Sequence, residues 1–563
     1  MDASLDLRLQ PDPSRWTLPR FLDDVVTRHG ARPALRFEGE TWTYDDLDAA
    51  TRSLARGLVG AGVGKGARVG LLIANRPEWV IGCFAAARLG AVVVPVSTLA
   101  TADERDYVLR HADVSLLLLQ RTLKSRDYLD ELQDRHPELA SCAPGRIRCA
   151  ALPSLRRLVC TGSERVPDAA ESWREIEELG DDVPDALVDA LSDEVTPCDD
   201  GMLIYTSGTT AHPKGVLHRQ RAAVIQSWRF AELLGLRAPD RVFTAQPFFW
   251  TAGIAMSLGA TFAAGGCLLL QEAFEPAGAL AMIEAERATV VTAFPHQEKA
   301  MGEHPSATAR DLSSIRLSRF SSPLAKLAGI TEDAWGIDAS YGLSETFTIA
   351  AMLPADTPSE IRRGSSGKAL PGTEIRIVDP ETGAPLPVAA PGEIAVRGAT
   401  LMRGYAKVDP AHVFDAEGFF HTQDGGSLDV TGHLHWTGRL SGLIKTGGAN
   451  VSPIEIERAL AHYPGLKVSA AVGVPHPSLG EIVVLCVVPT EGARAPVESE
   501  IQAFLRERLA IYKVPRCVLV FAAGDLAFTA NQKVQLAPLR EAAERRLAAA
   551  GAEIAGHRYG PPR

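Results

Sequence analysis

The chain has 563 residues, is 46% hydrophobic and 23% charged, and carries a net charge of −11. That length exceeds one compact domain and asks for two or more. Charges of both signs lie scattered along it, which argues against a nucleic-acid surface and for a small-molecule partner.

The opening residues 1–16 combine acidic side chains and prolines where a signal peptide would have a basic start and an apolar run, so no export signal is expected. Residues 21–28 and 44–62 have helical spacing, whereas "RVGLLIA" (68–74) and "AVVVPV" (91–96) are apolar runs of strand length. Such alternation reads as α/β with largely parallel strands. Between residues 120 and 197 the pattern loosens into surface connections with some helix. "GMLIYT" (201–206) then reads as a strand and "VLHRQRAAVIQSWRFAELLGL" (216–236) as a helix, which places "YTSGTTAHPKG" (205–215) in a strand-to-helix turn.

Residues 242–271 hold no charge and are long enough to cross a bilayer, but Pro247, Gly253, Gly259, Gly265 and Gly266 interrupt them. A buried helix feeding a buried strand is expected, with no membrane span. From 366 to 405, "TEIRIVD" and "GEIAVRG" with intervening Gly and Pro suggest a small antiparallel sheet or barrel, and after Gly438 a new βα pattern begins. The expected domains are therefore 1–438, with a β-rich subdomain over about 366–438, and 439–563, with the boundary near Arg439 and Gly442. Eight cysteines lie far apart without a C-x-x-C pair, so neither zinc nor a disulfide framework is indicated and a reducing cytoplasm fits.

The loop at 205–215 concentrates hydroxyls, glycines and Lys214. Backbone N–H groups freed by glycine, hydroxyl donors and an ammonium converge on something negative, and oligophosphate is the natural ligand. The Walker pattern is not met, because proline precedes Lys214 and glycine follows it, and "GAGVGKGA" (60–67) fails as well. A kinase-like transfer of the γ-phosphoryl group is disfavoured accordingly.

This loop resembles the phosphate-binding signature of the adenylate-forming enzymes: acyl-CoA synthetases, peptide-synthetase adenylation domains and luciferases. "YGLSET" (341–346), "FHTQD" (420–424), "GRLSGLIKTGGANVSPIEIE" (438–457) and "FTANQK" (528–533) resemble further signatures of that family, in order. The likeness is strongest to the acyl-CoA ligase branch. It implies a large N-terminal domain of parallel-rich sheets with a barrel-like subdomain and a small mobile α+β C-terminal domain, present as a monomer or homodimer.

By this resemblance Thr206, Ser207, Gly208, Thr209, Thr210 and Lys214 would hold the phosphates of ATP. Thr206 and Glu345 would hold Mg²⁺, Tyr341 would stack on adenine beside Gly342 and Ser344, Asp424 would accept the ribose hydroxyls, and Arg439 would reach ribose or phosphate. Lys533 would bridge the carboxylate and the α-phosphate during adenylation, so Lys533, Thr206 and Glu345 are the catalytic candidates. Phe248, Phe249, Trp250, Gly253, Ser321 and Ser322 would line an apolar, partly filled acyl pocket suited to a medium-sized hydrophobic, alicyclic or aromatic acid. Lys445, Gly447, Gly448 and Asn450 would face CoA, and Gly442 would serve as hinge.

Ala211, Gln423, Gly442 and Gln532 depart from the family's residues. Because three of them fall in parts that move or close for the second step, an amine or a carrier-protein thiol stands as an alternative acceptor to CoA.

Overall fold

The computed structural model describes residues 12–161, 169–206, 213–440, 443–460, 463–490, 494, 496–526 and 534–560. The apolar runs form two sheets with helices packed between them. In the larger sheet Asp200–Thr206, Val92–Pro95, Arg68–Leu72, Leu116–Gln120, Arg157–Thr161 and Ala170–Ser172 run parallel in that spatial order, with Lys214–Arg219 and Gly404–Tyr405 added antiparallel at one edge. The second sheet orders Val290–Thr292, Arg241–Thr244, Cys267–Leu270, Pro33–Phe37 and Glu40–Thr43, parallel but for the last strand. One contiguous core holds Val69, Leu71 and Val93 of the first sheet with Leu35, Val242 and Leu268 of the second. The helices Leu18–His29, Tyr44–Gly60, Pro77–Arg88 and Gln220–Leu233 contribute buried Phe21, Tyr44, Trp79 and Trp228 to it. Burial on both faces is why these strands read as unbroken Val, Leu and Ile.

The uncharged run behaves as its glycines imply. After Arg241–Thr244 it passes through the π-helical turns Gly253–Gly259 and the helix Ala260–Ala264 into the strand Cys267–Leu270. Among the described residues no helix is long and apolar enough to cross a membrane. All eight cysteines are free thiols.

Two expectations need correction. The stretch after residue 120 holds the expected helices, Tyr128–Arg135, Trp173–Glu178 and Asp185–Asp193, but it also supplies two parallel strands of the larger sheet, Arg157–Thr161 and Ala170–Ser172, where the sequence suggests surface connections. The loop that begins after Thr206 does not lead directly into a helix: Lys214–Arg219 is a strand paired with Asp200–Thr206, register Thr206 to Lys214, and the helix starts only at Gln220. The cause lies on the far side, where Val216 and Leu217 pair with Tyr405 and Gly404. A strand with partners on both edges outweighs the helical spacing of its residues.

Thr373–Val378, Gly392–Gly398, Phe420–Leu428 and Leu434–Arg439 form the expected small antiparallel sheet. From Ile444 onward a further sheet orders Ala449–Val451, Ile444–Thr446, Gly480–Pro489 and Leu466–His476, with Cys517–Val520 added parallel to Gly480–Pro489. Helices Pro453–Ala459, Glu498–Arg506 and Leu536–Ala549 belong to this C-terminal part. The architecture is α/β with mixed sheets and a small α+β C-terminal portion.

Candidate active site

A cavity of about 710 Å³ opens where the larger sheet, the small antiparallel sheet and the C-terminal sheet meet. Thr206 reaches it from the end of its strand, and Tyr341, Gly342 and Ser344 enter from the "YGLSET" segment. Asp424 arrives from the strand Phe420–Leu428 and is 2% exposed. Tyr341 Oη donates to Asp424 Oδ2 at 2.8 Å, joining two of the residues singled out in the sequence.

A second grouping forms around Lys214. Lys214 Nζ lies 4.8 Å from the centre of the Tyr405 ring, and Tyr405 Oη donates to Glu345 Oε1 at 2.7 Å. Tyr405 was not foreseen; it sits on the edge strand that pairs with the loop's own hairpin. Ser207, Gly208, Thr209, Thr210, Ala211, Gly442, Gln532 and Lys533 lie outside the described residues, as does the side chain of Arg439, whose backbone pairs with Asp424 in the ladder.

The "YGLSET" turn is strained and held from below. Phe347 and Thr348 have φ of 50° and 93°, left-handed values that cost of order 1–3 kcal/mol each outside glycine. Gln226 Nε2, from the helix Gln220–Leu233, donates to the carbonyls of Ile349 at 2.7 Å, Phe347 at 3.1 Å and Thr346 at 3.2 Å. His218 is fully buried, and its Nε2 donates to the Ser344 carbonyl at 2.8 Å while Phe347 meets its ring edge-on. Burial pushes the His218 imidazole down to about 3, so it stays neutral. Neither residue carried a signal in the sequence, since each acts on a turn more than a hundred residues away.

Of the acyl-pocket candidates, Trp250 and Ser321 line the cavity, whereas Phe249 lines a neighbouring one. Phe248 is core, 5.1 Å from the Trp79 ring, and Gly253 is buried off the walls. Ser322 points inward as the cap of the helix Pro323–Leu327, accepting from Ala325 N–H at 3.1 Å. The wall is less apolar than expected, because Gln246, Thr251 and Arg319 share it.

Lys445, Gly447, Gly448 and Asn450 all line the same cavity, from the turn between Ile444–Thr446 and Ala449–Val451. Gly448 has φ of 83°, and a Cβ there would come within 2.6 Å of the Phe294 ring, so only glycine lets the turn close against the N-terminal part. Asn450 Oδ1 is buried and, among the described residues, accepts no hydrogen bond. The neighbouring cavity, about 690 Å³, is bordered by Phe249, Lys124 and Arg126 on one side and Arg506 and Ile511 on the other.

Gln423 takes the left-handed conformation, φ 58°, that glycine would adopt freely. It lies in a bulge of the strand Phe420–Leu428, pinned by Glu393 Oε1, which accepts from Gln423 N–H at 2.7 Å, and by the Gln423 carbonyl, which accepts from Leu440 N–H at 2.8 Å.

A strand-end hydroxyl, a lysine, a buried tyrosine–aspartate pair and a glycine turn surround one cavity between an α/β body and a small C-terminal portion. Comparison with known proteins gives the family. The model of the AMP-binding enzymes matches residues 22–406, and that of the AMP-binding enzyme C-terminal domain matches residues 455–533. A feruloyl-CoA synthase of Amycolatopsis sp is 32% identical over 492 residues, covering 86% of this chain and 91% of that protein. A medium-chain acyl-CoA ligase of Danio rerio is 29% identical over 550 residues, 94% of this chain and 89% of the other. Among solved structures, the amide bond synthetase McbA from Marinactinospora thermotolerans superposes with a TM-score of 0.73 at 27% identity, covering 93% of this chain and 99% of McbA. The chain belongs to the AMP-binding enzyme family, the adenylate-forming enzymes, on their acyl-CoA ligase branch.

Two outcomes follow from this geometry. Gln423→Gly should raise stability by about 0.5–1 kcal/mol in denaturant unfolding, the relieved strain exceeding the added chain entropy; a loss would show that the left-handed residue in this bulge is not strained. His218 has a depressed folded-state pKa, so its contribution is present above the unfolded value near 6.5 and is lost as pH falls toward 3. The stability gap between the parent and His218→Asn should therefore shift by about 2–3 kcal/mol against the parent between pH 7 and pH 4. A gap independent of pH would contradict a neutral buried imidazole.

Proposed function

We propose that the chain is an ATP-dependent acid–CoA ligase. It activates a hydrophobic carboxylic acid as an acyl-adenylate with release of pyrophosphate, then passes the acyl group to the thiol of CoA. The observation that carries this reading is one cavity walled by Thr206, Tyr341 and Asp424 on the nucleotide side and by the turn from Lys445 to Asn450 on the other. The relatives named for CoA ligation support it.

A carboxylate is a poor electrophile, because its charge repels nucleophiles and oxide is a hopeless leaving group. Attack of the acid's oxygen on the α-phosphorus forms a mixed anhydride and expels pyrophosphate, provided the charges of the two anions are offset. In this reading Thr206, Ser207, Thr209, Thr210 and Lys214 cradle the β- and γ-phosphates, and the Tyr341 ring lies along adenine. Asp424, oriented by the Tyr341 hydroxyl, accepts the ribose hydroxyls. Lys533 approaches the carboxylate and α-phosphate together.

Glu345, one of whose oxygens accepts from Tyr405, offers with the Thr206 hydroxyl the hard oxygen donors that Mg²⁺ takes. When bound, the ion would neutralise phosphate charge. In the second step the thiol adds to the acyl carbonyl and AMP leaves, with the turn from Lys445 to Asn450 flanking the entry.

The acceptor is the finer question. The likeness to McbA favours an amine as the second reading. The neighbouring cavity favours CoA: it has room for a long acceptor and presents Lys124 and Arg506, which among the described residues form no ion pair, to a phosphate-bearing tail.

A panel of aliphatic, alicyclic and aromatic acids with ATP should release pyrophosphate, and added CoA should yield a thioester by mass spectrometry. No pyrophosphate with any acid would overturn the reading, and an amide without thioester would select the second. Lys533→Ala should lower adenylation by about 10²–10³-fold while ATP binding survives; equal turnover would refute that lysine's role.

A further inference from the structure

The turn Ile511–Lys513 stands between the two cavities, after the helix Glu498–Arg506 and before the strand Cys517–Val520. Ile511 borders the outer cavity and Tyr512 the inner one. The Tyr512 ring meets Trp250 edge-on at 6.2 Å, so the turn forms part of the partition.

The next residue anchors it. Lys513 is 2% exposed, and its ammonium donates to Glu104 Oε1 at 2.5 Å and to Glu455 Oε1 at 2.7 Å. Glu455 lies on Pro453–Ala459, within the C-terminal part, whereas Glu104 lies on Ala102–His111, in the N-terminal part. Burial opposes the ammonium's charge, but Tyr512, Glu104 and Glu455 outweigh it and hold Lys513 above its ordinary range. Burial likewise raises Glu455, partly offset by Lys513. A buried triad of this kind is tolerable only while its members stay together, since removing one leaves an uncompensated charge. Any movement of the C-terminal part away from Glu104 must break it.

We propose that Lys513 is a positioning residue for acyl transfer: its bridge to Glu104 holds Tyr512 against Trp250 and so keeps the arrangement in which the turn from Lys445 to Asn450 shares a cavity with Tyr341 and Asp424. The proposal rests on the two-step reading above. It predicts that the bridge matters to the second half-reaction and not to the first, in which the C-terminal part has to bring Lys533, rather than the turn from Lys445 to Asn450, to the reacting groups.

Glu104 allows a mild test. Its other oxygen, Oε2, accepts from the Thr101 N–H at 2.8 Å in a helix-capping box, and glutamine can keep that bond while removing the charge. In the full-length chain, Glu104→Gln and Lys513→Met are compared with the parent and with Lys513→Arg. Pyrophosphate release is measured without acceptor, and decay of preformed acyl-adenylate is measured with the acceptor the parent uses. Amide exchange is followed over residues 509–514.

The expected result is release within about twofold of the parent, decay slowed by about tenfold or more, and faster exchange, with Lys513→Arg recovering much of the loss. Parallel loss in both half-reactions, or unchanged decay and exchange in Glu104→Gln, would overturn the proposal. If the parent releases no pyrophosphate with any acid, the two-step reading fails instead. The exchange comparison then decides the docking role alone, faster exchange supporting it and unchanged exchange refuting it.

Discussion

The hydrogen bond from Tyr341 to Asp424 joins segments 83 residues apart and sets the geometry on which the rest of the site depends. Tyr341 is carried by a short strand beside the strained turn, and Asp424 by the small antiparallel sheet. Their union closes the corner between a parallel α/β body and a separate β structure, where a flat aromatic face and a buried carboxylate stand side by side. The turn after Tyr341 tolerates left-handed backbone at Phe347 and Thr348 because Gln226 and His218 hold the carbonyls that it exposes.

Around this corner, charge and movement are handled by different devices. On one side Lys214, Tyr405 and Glu345 form a chain of contacts that the edge strand Gly404–Tyr405 brings together. On the other side the C-terminal sheet lends a glycine turn that fits only because Gly448 has no side chain to strike Phe294. Between the two cavities the buried charges of Lys513, Glu104 and Glu455 tie the C-terminal part to the body. The strength of such a triad depends on complete pairing, so it suits a contact that is either made or broken.

Much of the fold was legible because its strands are buried on both faces and therefore written as continuous apolar runs, as at Arg68–Leu72 and Val92–Pro95. The hairpin strand Lys214–Arg219 was not, because helical spacing from Val216 onward masks a strand whose partner Tyr405 lies far along the chain. Arg157–Thr161 and Ala170–Ser172 were missed for a related reason, being short strands set in a Pro- and charge-rich stretch. In the site, the motif residues Tyr341 and Asp424 could be read directly. His218, Gln226 and Tyr405 could not, since a histidine, a glutamine and a tyrosine in ordinary elements gain meaning only from the carbonyl or carboxylate that folding places against them. The position of Gln423 was legible as a departure from glycine, but its left-handed backbone and its clasp by Glu393 were visible only in three dimensions.

In the proposed reaction the acid's own oxygen attacks the α-phosphorus of ATP. It is tested most directly by supplying an accepted acid labelled with ¹⁸O in its carboxylate and analysing the products by mass spectrometry. The account predicts one labelled oxygen in AMP and none in pyrophosphate. Label in inorganic phosphate with formation of ADP, or unlabelled AMP, would contradict it.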